Sequence, residues 1–229
     1  MNSKIFLATP AFEGKTNVQY AISLAETTLI LARNHIHVEY QITTSGSLLC
    51  AERNRLVEAF MKSDCTHMLC VDSDLGWPAQ AVIEMLKKDC EFIAGVYPAR
   101  KERSFLFRAC LEENQSIVVD KNKGLLKMEY IPAGFMLLKR SVIEKMISKF
   151  PETRFEPKDK KMPSGHALFN TEIMDGEFWG EDYVFCRRAR EAGVEIWVDP
   201  MIQFDHSGNI GMLMEVLTPE KEKVLSEVK

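Results

Sequence analysis

The sequence has no apolar run approaching the about 18 residues of a membrane-crossing helix. Its first apolar stretch, Ile5-Phe6-Leu7-Ala8, stops at Thr9-Pro10, too early for a secretory signal. Both absences predict an intracellular, cytoplasmic protein without a membrane span. Six cysteines are present but no CxxC pair, and several lie in apolar stretches, so neither a disulfide framework nor a zinc site is expected. A basic block is missing as well. With 29 Lys plus Arg against 33 Asp plus Glu, the formal charge is −4, which argues against nucleic acid as a partner. There is no internal repeat and no low-complexity segment. What is there is ordinary globular material: 229 residues, 46% hydrophobic and 27% charged, enough to bury a core without staples and excluding disordered and fibrous classes.

Apolar strands alternate with helices, which is the pattern of an α/β domain. Strands are expected at 4–8, 37–43, 67–71, 91–95 and 135–138, and helices at 18–33, 51–62, 78–88 and 181–192. Lys121-Asn-Lys-Gly124 between two extended runs, 116–119 and 125–130, predicts a hairpin and therefore an antiparallel or mixed part of the sheet. Ser141 with Glu144 reads as a capping box for a helix ending at Lys149. The polar stretch 151–175 reads as a long loop of the kind that serves as a lid or binding loop. Gly193 reads as a helix C-terminal stop, 194–198 and 202–204 as the last strands, and 212–229 as a helical tail.

Three constellations carry candidate chemistry. Asp72-Ser73-Asp74 directly follows an apolar strand, so the two carboxylates at i and i+2 face one space beyond the strand's carboxyl end, where open α/β sheets bind ligands. Close carboxylates repel unless a cation sits between them, and a hard divalent ion satisfies both. By itself the same triplet also fits a solvated turn. Gly180-Glu181-Asp182 opens a helix, where the dipole alone favours acid. One of these carboxylates, aimed into a cleft, can take a proton from an attacking hydroxyl; adjacent helical residues diverge by about 100°, so only one can aim squarely, and Asp182 is the choice. His206 in Asp205-His206-Ser207-Gly208 offers an imidazole suited to manganese-like ions.

A phosphate loop competes for the first turn. Glu13-Gly14-Lys15-Thr16 follows a strand and precedes a helix, but Thr9 stands where that loop needs glycine and Pro10 removes an amide donor.

Thr9-Pro10-Ala11, Ala51-Glu52-Arg53-Asn54, Val71-Asp72-Ser73-Asp74, Pro132-Ala133-Gly134-Phe135-Met136, Trp179-Gly180-Glu181-Asp182 and Asp205-His206, in this order, resemble the GT-A class of metal-dependent nucleotide-sugar glycosyltransferases. The resemblance is to its small stand-alone viral, phage and bacterial members and spans positions 9–206. It implies a Rossmann-like three-layer sandwich with a mixed central sheet over 1–211, followed by the tail at 212–229. It implies that Thr9, Pro10 and Ala11 line the base and ribose pocket, that Arg53 contacts the nucleotide, that Ser73 belongs to the donor site, and that Asp72 holds ribose or metal. Asp74 and His206 would ligate Mn2+ or Mg2+, and Asp182, with Glu181 beside it, would be the base. Ala133, Gly134, Trp179 and Gly180 would shape the sugar and acceptor side. The implied reaction is hexosyl transfer from a nucleoside-diphosphate sugar, UDP-glucose for example, to a glycan hydroxyl, with inversion. A P-loop-like NTPase and a nucleotide-sugar-binding module without turnover are the competing readings.

Overall fold

The computed structural model describes residues 3–44, 46–102, 104–158 and 164–217. In chain order the elements are β1 (Lys4–Pro10), α1 (Val18–Arg33), β2 (His37–Thr43), α2 (Leu49–Lys62), β3 (His67–Val71), β4 (Leu75–Gly76), α3 (Ala81–Lys87), β5 (Phe92–Ala94), β6 (Arg108–Ala109), β7 (Val119–Asp120), β8 (Leu125–Tyr130), β9 (Phe135–Lys139) and α4 (Arg140–Lys149). They continue with β10 (Arg154–Phe155), β11 (Gly165–His166), β12 (Glu172–Met174), β13 (Glu177–Trp179), α5 (Glu181–Glu191), β14 (Ile196–Val198), β15 (Gln203–His206) and β16 (Asn209–Met212). The main sheet runs β2-β1-β3-β9-β5-β14-β8-β6, with β7 beside β8. β1 pairs in parallel with β2 and β3, and β14 with β5, whereas β9 is antiparallel to both β3 and β5. The sheet is therefore mixed, as expected.

Successive strand residues point to opposite faces, and here both faces are buried. Ile5, Leu7, Leu69, Val71, Ile93 and Leu137 join one core with residues of α1 and α3. Phe6, Ala8, Met68, Cys70, Phe92 and Leu138 join the other with α2, α4 and α5. Two cores separated by one sheet make the three-layer architecture. α1 contributes Tyr20, Ser23, Thr27 and Leu31 to its core, spaced by three or four residues. Its two hydroxyls are not wasted in that core: Ser23 Oγ accepts the backbone N–H of Trp77, and Thr27 Oγ1 accepts the indole Nε1–H, both at 2.9 Å. The indole is thus buried with its polar handle satisfied.

Several local expectations change. Ser141 is not a helix cap: α4 starts at Arg140 without a side-chain cap, and Ser141 Oγ donates to Glu91 Oε1 at 3.0 Å. Arg140 instead ties the helix start to the end of α2, donating to the carbonyls of Phe60, Ser63 and Cys65. The 151–175 stretch is not an unstructured loop, because its described part holds β10 paired with β11, and β12, which pairs with β13. The hairpin at 121–124 forms, with Gly124 at φ +65° and Asp120 Oδ1 accepting the Asn122 amide. Its first strand is shorter than expected: β7 holds only Val119 and Asp120, with one further bond from the Lys127 amide of β8 to the Val118 carbonyl. The expected boundary at 211/212 falls inside β16, and Leu213, Met214 and Leu217 pack into the core beneath α2, α4 and α5. The remainder of the expected helical tail, 218–229, lies outside the described residues. The six cysteines are free, as expected. Among the described residues no helix is long and apolar enough to cross a membrane.

Candidate active site

Strand direction gathers the site along one edge of the sheet. The carboxyl ends of β1, β3 and β5 meet the amino end of β9, because Val71 pairs with Phe135 and Ala94 with Met136. Asp72, one past β3, therefore abuts Gly134, one before β9, and its amide donates to the Gly134 carbonyl at 2.9 Å. A second small sheet brings in the distant histidine. β4 pairs with β15, placing His206 opposite Leu75, the neighbour of Asp74.

Asp74 and His206 converge, with Oδ2 3.3 Å from Nε2. His206 Nδ1 is 2.7 Å from the Pro98 carbonyl; a carbonyl only accepts, so Nδ1 carries the hydrogen and Nε2 faces Asp74. That is the arrangement of a metal-ligating imidazole whose second nitrogen is anchored by backbone. Positive charge already collects at this place: the Arg100 guanidinium lies on Asp74 Oδ2, with Nη2 at 2.6 Å and Nε at 2.8 Å, and its Nε also reaches His206 Nε2 at 3.3 Å. Burial is the largest single influence and opposes ionisation of both groups, but their mutual hydrogen bond and charge attraction, together with their other partners, outweigh it. The Asp74 carboxyl is held below its ordinary range, helped by Arg100, and the His206 imidazole above its own, helped by Pro98. The Asp74 carboxylate and, in its neutral form, the His206 imidazole are ligands of the kinds that suit a divalent ion such as manganese or magnesium.

Asp72 does something else. Its Oδ1 accepts from Arg53 Nη2 at 2.8 Å and its Oδ2 from the Tyr97 hydroxyl at 3.4 Å. Its oxygens do not lie within 4.8 Å of both Asp74 and His206, so the expected third metal ligand is here a partner of Arg53. Arg53 itself is 4% exposed. Its Nη1 donates to the Ala133 carbonyl and its Nε lies 3.4 Å from Glu181 Oε1. The expected direct nucleotide contact by Arg53 gives way to a structural one: the guanidinium pins α5 to the end of β3. Glu181, expected beside Asp182 as a candidate base, is instead engaged by Arg53.

Asp182 is free to act. It lines a cavity of about 550 Å³ with Tyr97, Pro132, Arg100 and His206. Burial, and then the like charge of Glu181, push its carboxyl up to about 6, against the Tyr183 amide and Arg53, which pull it down. The Tyr183 amide donates to Oδ1 at 2.8 Å and fixes the side chain. A second cavity, about 340 Å³, is lined by Pro10, Ala11, Ser73, both Asp72 and Asp74, and Arg100. Arg100 therefore borders both spaces.

The other expected residues are distributed as follows. Thr9 is fully buried behind the second cavity, its Oγ1 2.7 Å from the Tyr20 hydroxyl, so it supports the wall and does not line it. Trp179 packs on Tyr130 and Tyr183, with ring centroids 4.8 and 6.1 Å away, and lines neither cavity. Gly180 starts α5, where a Cβ would come within 3.0 Å of Asp182 Oδ1. Ala133 is buried and gives only its carbonyl. Gly134 must be glycine: a Cβ there would stand 2.3 Å from Tyr97 Oη and 2.5 Å from Asp72 Oδ2. Gly134→Ala is expected to cost about 1–3 kcal/mol by overpacking, read by denaturant melts.

The phosphate-loop alternative lacks its cradle. Lys15 is exposed and paired with Glu13 at 2.5 Å. The loop amides are already used, Ala11 on the Thr43 carbonyl, Gly14 on Ala11, Lys15 on Phe12 and Asn17 on Ser73. Tyr97, Arg100 and Glu52 were not foreseen as site residues. Tyr97-Pro98-Ala99-Arg100 carries a signal in hindsight, a polar aromatic and a base just past a buried strand at the ligand-binding edge.

No protein-family model and no curated protein matches the sequence. Among solved structures the chain is similar to A197 from STIV, at 16% identity and a TM-score of 0.52, covering 89% of this chain and 85% of that one. It is also similar to S. aureus TarS 1-349, at 13% identity, TM-score 0.48, and coverage of 86% and 58%. GalNAc-T7, solved with UDP, GalNAc and Mn2+, follows at 8% identity, TM-score 0.43, and coverage of 89% and 43%. The chain thus spans most of A197 but less than two thirds of the other two. The likeness to A197 is one of fold alone.

Proposed function

We propose that the chain is a metal-dependent glycosyltransferase that moves a sugar, a hexose by the sequence resemblance, from a nucleoside-diphosphate donor to an acceptor hydroxyl on a glycan, with inversion. The observation that carries this reading is the pair of adjoining cavities that share Arg100, one holding the Asp72 and Asp74 carboxylates, the other holding Asp182 in a state poised near neutrality. Asp74 and His206 would hold Mn2+ or Mg2+, which supplies positive charge to the diphosphate oxygens as they take up the leaving electrons. Arg53 and Tyr97 keep Asp72 oriented along the donor cavity. Asp182 accepts the proton of the acceptor hydroxyl as its oxygen bonds to the anomeric carbon, while the bond from that carbon to the diphosphate breaks and the nucleoside diphosphate departs. Direct displacement by one acceptor oxygen would invert the anomeric centre, and a product that keeps the donor's anomeric configuration overturns that part of the reading. UDP-glucose is the kind of donor the sequence resemblance suggests.

The test is calorimetric titration of UDP and GDP into the metal-free protein with and without Mn2+. Metal-dependent binding that weakens at least about tenfold in Asp74→Ala, the loss of a metal ligand, and is unchanged in Lys15→Ala supports the reading. Magnesium-dependent ATP binding that vanishes in Lys15→Ala overturns it in favour of an NTPase.

A further inference from the structure

Two polar atoms at the far end of the donor cavity have no hydrogen-bond partner among the described residues: Glu52 Oε2 and Thr43 Oγ1. Both residues line that cavity. The Glu52 side chain is only 5% exposed, and its other oxygen is held by Arg55 Nη1 at 2.5 Å. A buried acceptor without a partner is costly, and a carboxylate oxygen more so, which is why such atoms in native proteins are normally satisfied. An acid in the first turn of α2 is explained by the helix dipole, but the dipole does not explain why the side chain is buried with one oxygen unused. The chain is also fitted around it, since a Cβ on Gly46 would stand 1.8 Å from Glu52 Oε1.

Sheet order says which part of a nucleotide meets this carboxylate. Thr43 ends β2 and Asp72 follows β3, with β1 between them. Two strand spacings separate these ends, about 10 Å, which is the reach of a nucleoside from its phosphate-bearing carbon to the outer edge of its base. With the diphosphate at Asp74 and Arg100, the base edge arrives at Glu52 and Thr43, and the ribose lies between. A carboxylate can only accept. We infer that Glu52 reads the nucleobase of the donor by accepting a hydrogen bond from a ring N–H, and so selects uracil or guanine over cytosine or adenine, whose ring nitrogen at that edge presents a lone pair. The Thr43 hydroxyl donates to the neighbouring base carbonyl. This inference rests on the transferase reading and adds to it the residue that chooses the nucleotide.

The experiment titrates UDP, CDP, GDP and ADP into the protein with Mn2+, comparing bases of equal ring size. A site built to bond one polar group discriminates strongly against a partner lacking it. The expected result is UDP over CDP, or GDP over ADP, by about tenfold or more. In Glu52→Gln the carboxamide can turn an N–H toward the lone pair, and that ratio is expected to fall by about tenfold or more. Should Glu52→Gln lose its far-UV circular dichroism, Glu52→Asp, which withdraws the carboxylate by one methylene, takes its place with the same ratio as readout. Equal or reversed preference in the wild type, or a ratio untouched in the folded variant, overturns the inference and leaves the transferase reading standing. Failure of all four nucleotides to bind overturns both.

Discussion

Asp182→Asn is expected to lower glycosyl transfer by about 10²–10⁴-fold, the range for removing a general base, while nucleoside-diphosphate binding stays close to wild type. The separation follows from geometry, because Asp182 lines the acceptor cavity and not the donor cavity. Transfer in the wild type is expected to rise with pH through about 6 and then level, since burial and Glu181 hold the proton on Asp182 up to that point and only the carboxylate can act as base. The effect on stability has the opposite sense. In the unfolded chain this carboxyl ionises near its ordinary 3.8, in the folded protein near about 6. The folded state therefore binds more protons between those values, and wild-type stability falls as pH climbs through that window. Asparagine does not ionise, so the melting temperature of Asp182→Asn relative to wild type should improve from pH 4 to pH 7. Transfer that persists in the variant rules out Asp182 as the base. A wild type that binds nucleotide sugar with Mn2+ but transfers to no acceptor would favour a binding module.

The largest loss of stability is expected at Arg53. Burial works against its charge, yet Asp72 and Glu181 hold the guanidinium protonated beyond its ordinary range. Replacing it with methionine leaves two carboxylates facing each other in a space that has lost its cation, and breaking such a buried group costs about 3–5 kcal/mol. At this chain length each kcal/mol lowers Tm by about 2–4 °C. The variant should also lose donor binding, because Asp72 is held in the cavity by Arg53 Nη2. Arg53→Lys keeps one charge but not the fork that reaches Asp72, Glu181 and the Ala133 carbonyl together, so it should recover part of the stability and little of the binding. Guanidinium denaturation measures the first effect and titration of UDP with Mn2+ the second. A destabilisation below about 1 kcal/mol would place Arg53 among ordinary surface ion pairs and remove the basis for treating it as the centre of the site.

Much of the fold was legible because long periodic segments announce themselves. β1, β2, β3, α1, α2 and α5 fall within a few residues of where alternation, helical spacing and Gly193 place them. Elements of two residues, such as β4, β6, β10 and β11, carry no periodicity to read. Ser141 departs from its expected cap for a different reason: the local pattern is that of a cap, but Glu91, 50 residues away in sequence, competes for the hydroxyl.

The sequence by itself determined the class of the domain, the position of the Asp72-Ser73-Asp74 edge and which side chains are candidates for chemistry. Those follow from strand period, from the type of side chain and from its place after a strand, all of which are local. Only the tertiary structure decided how the carboxylates divide their work. Asp72 and Glu181 are neutralised by one buried arginine, Asp74 is joined to His206 and Arg100, Glu52 gives one oxygen to Arg55 and keeps the other free, and Asp182 lines its cavity without a cationic partner in hydrogen-bond range among the described residues. Which acid finds a cation depends on the antiparallel setting of β9 and on the β4–β15 pairing, contacts between residues far apart in the chain. Charge pairing falls off with distance in space and is indifferent to separation in sequence, so no local pattern could have assigned these roles.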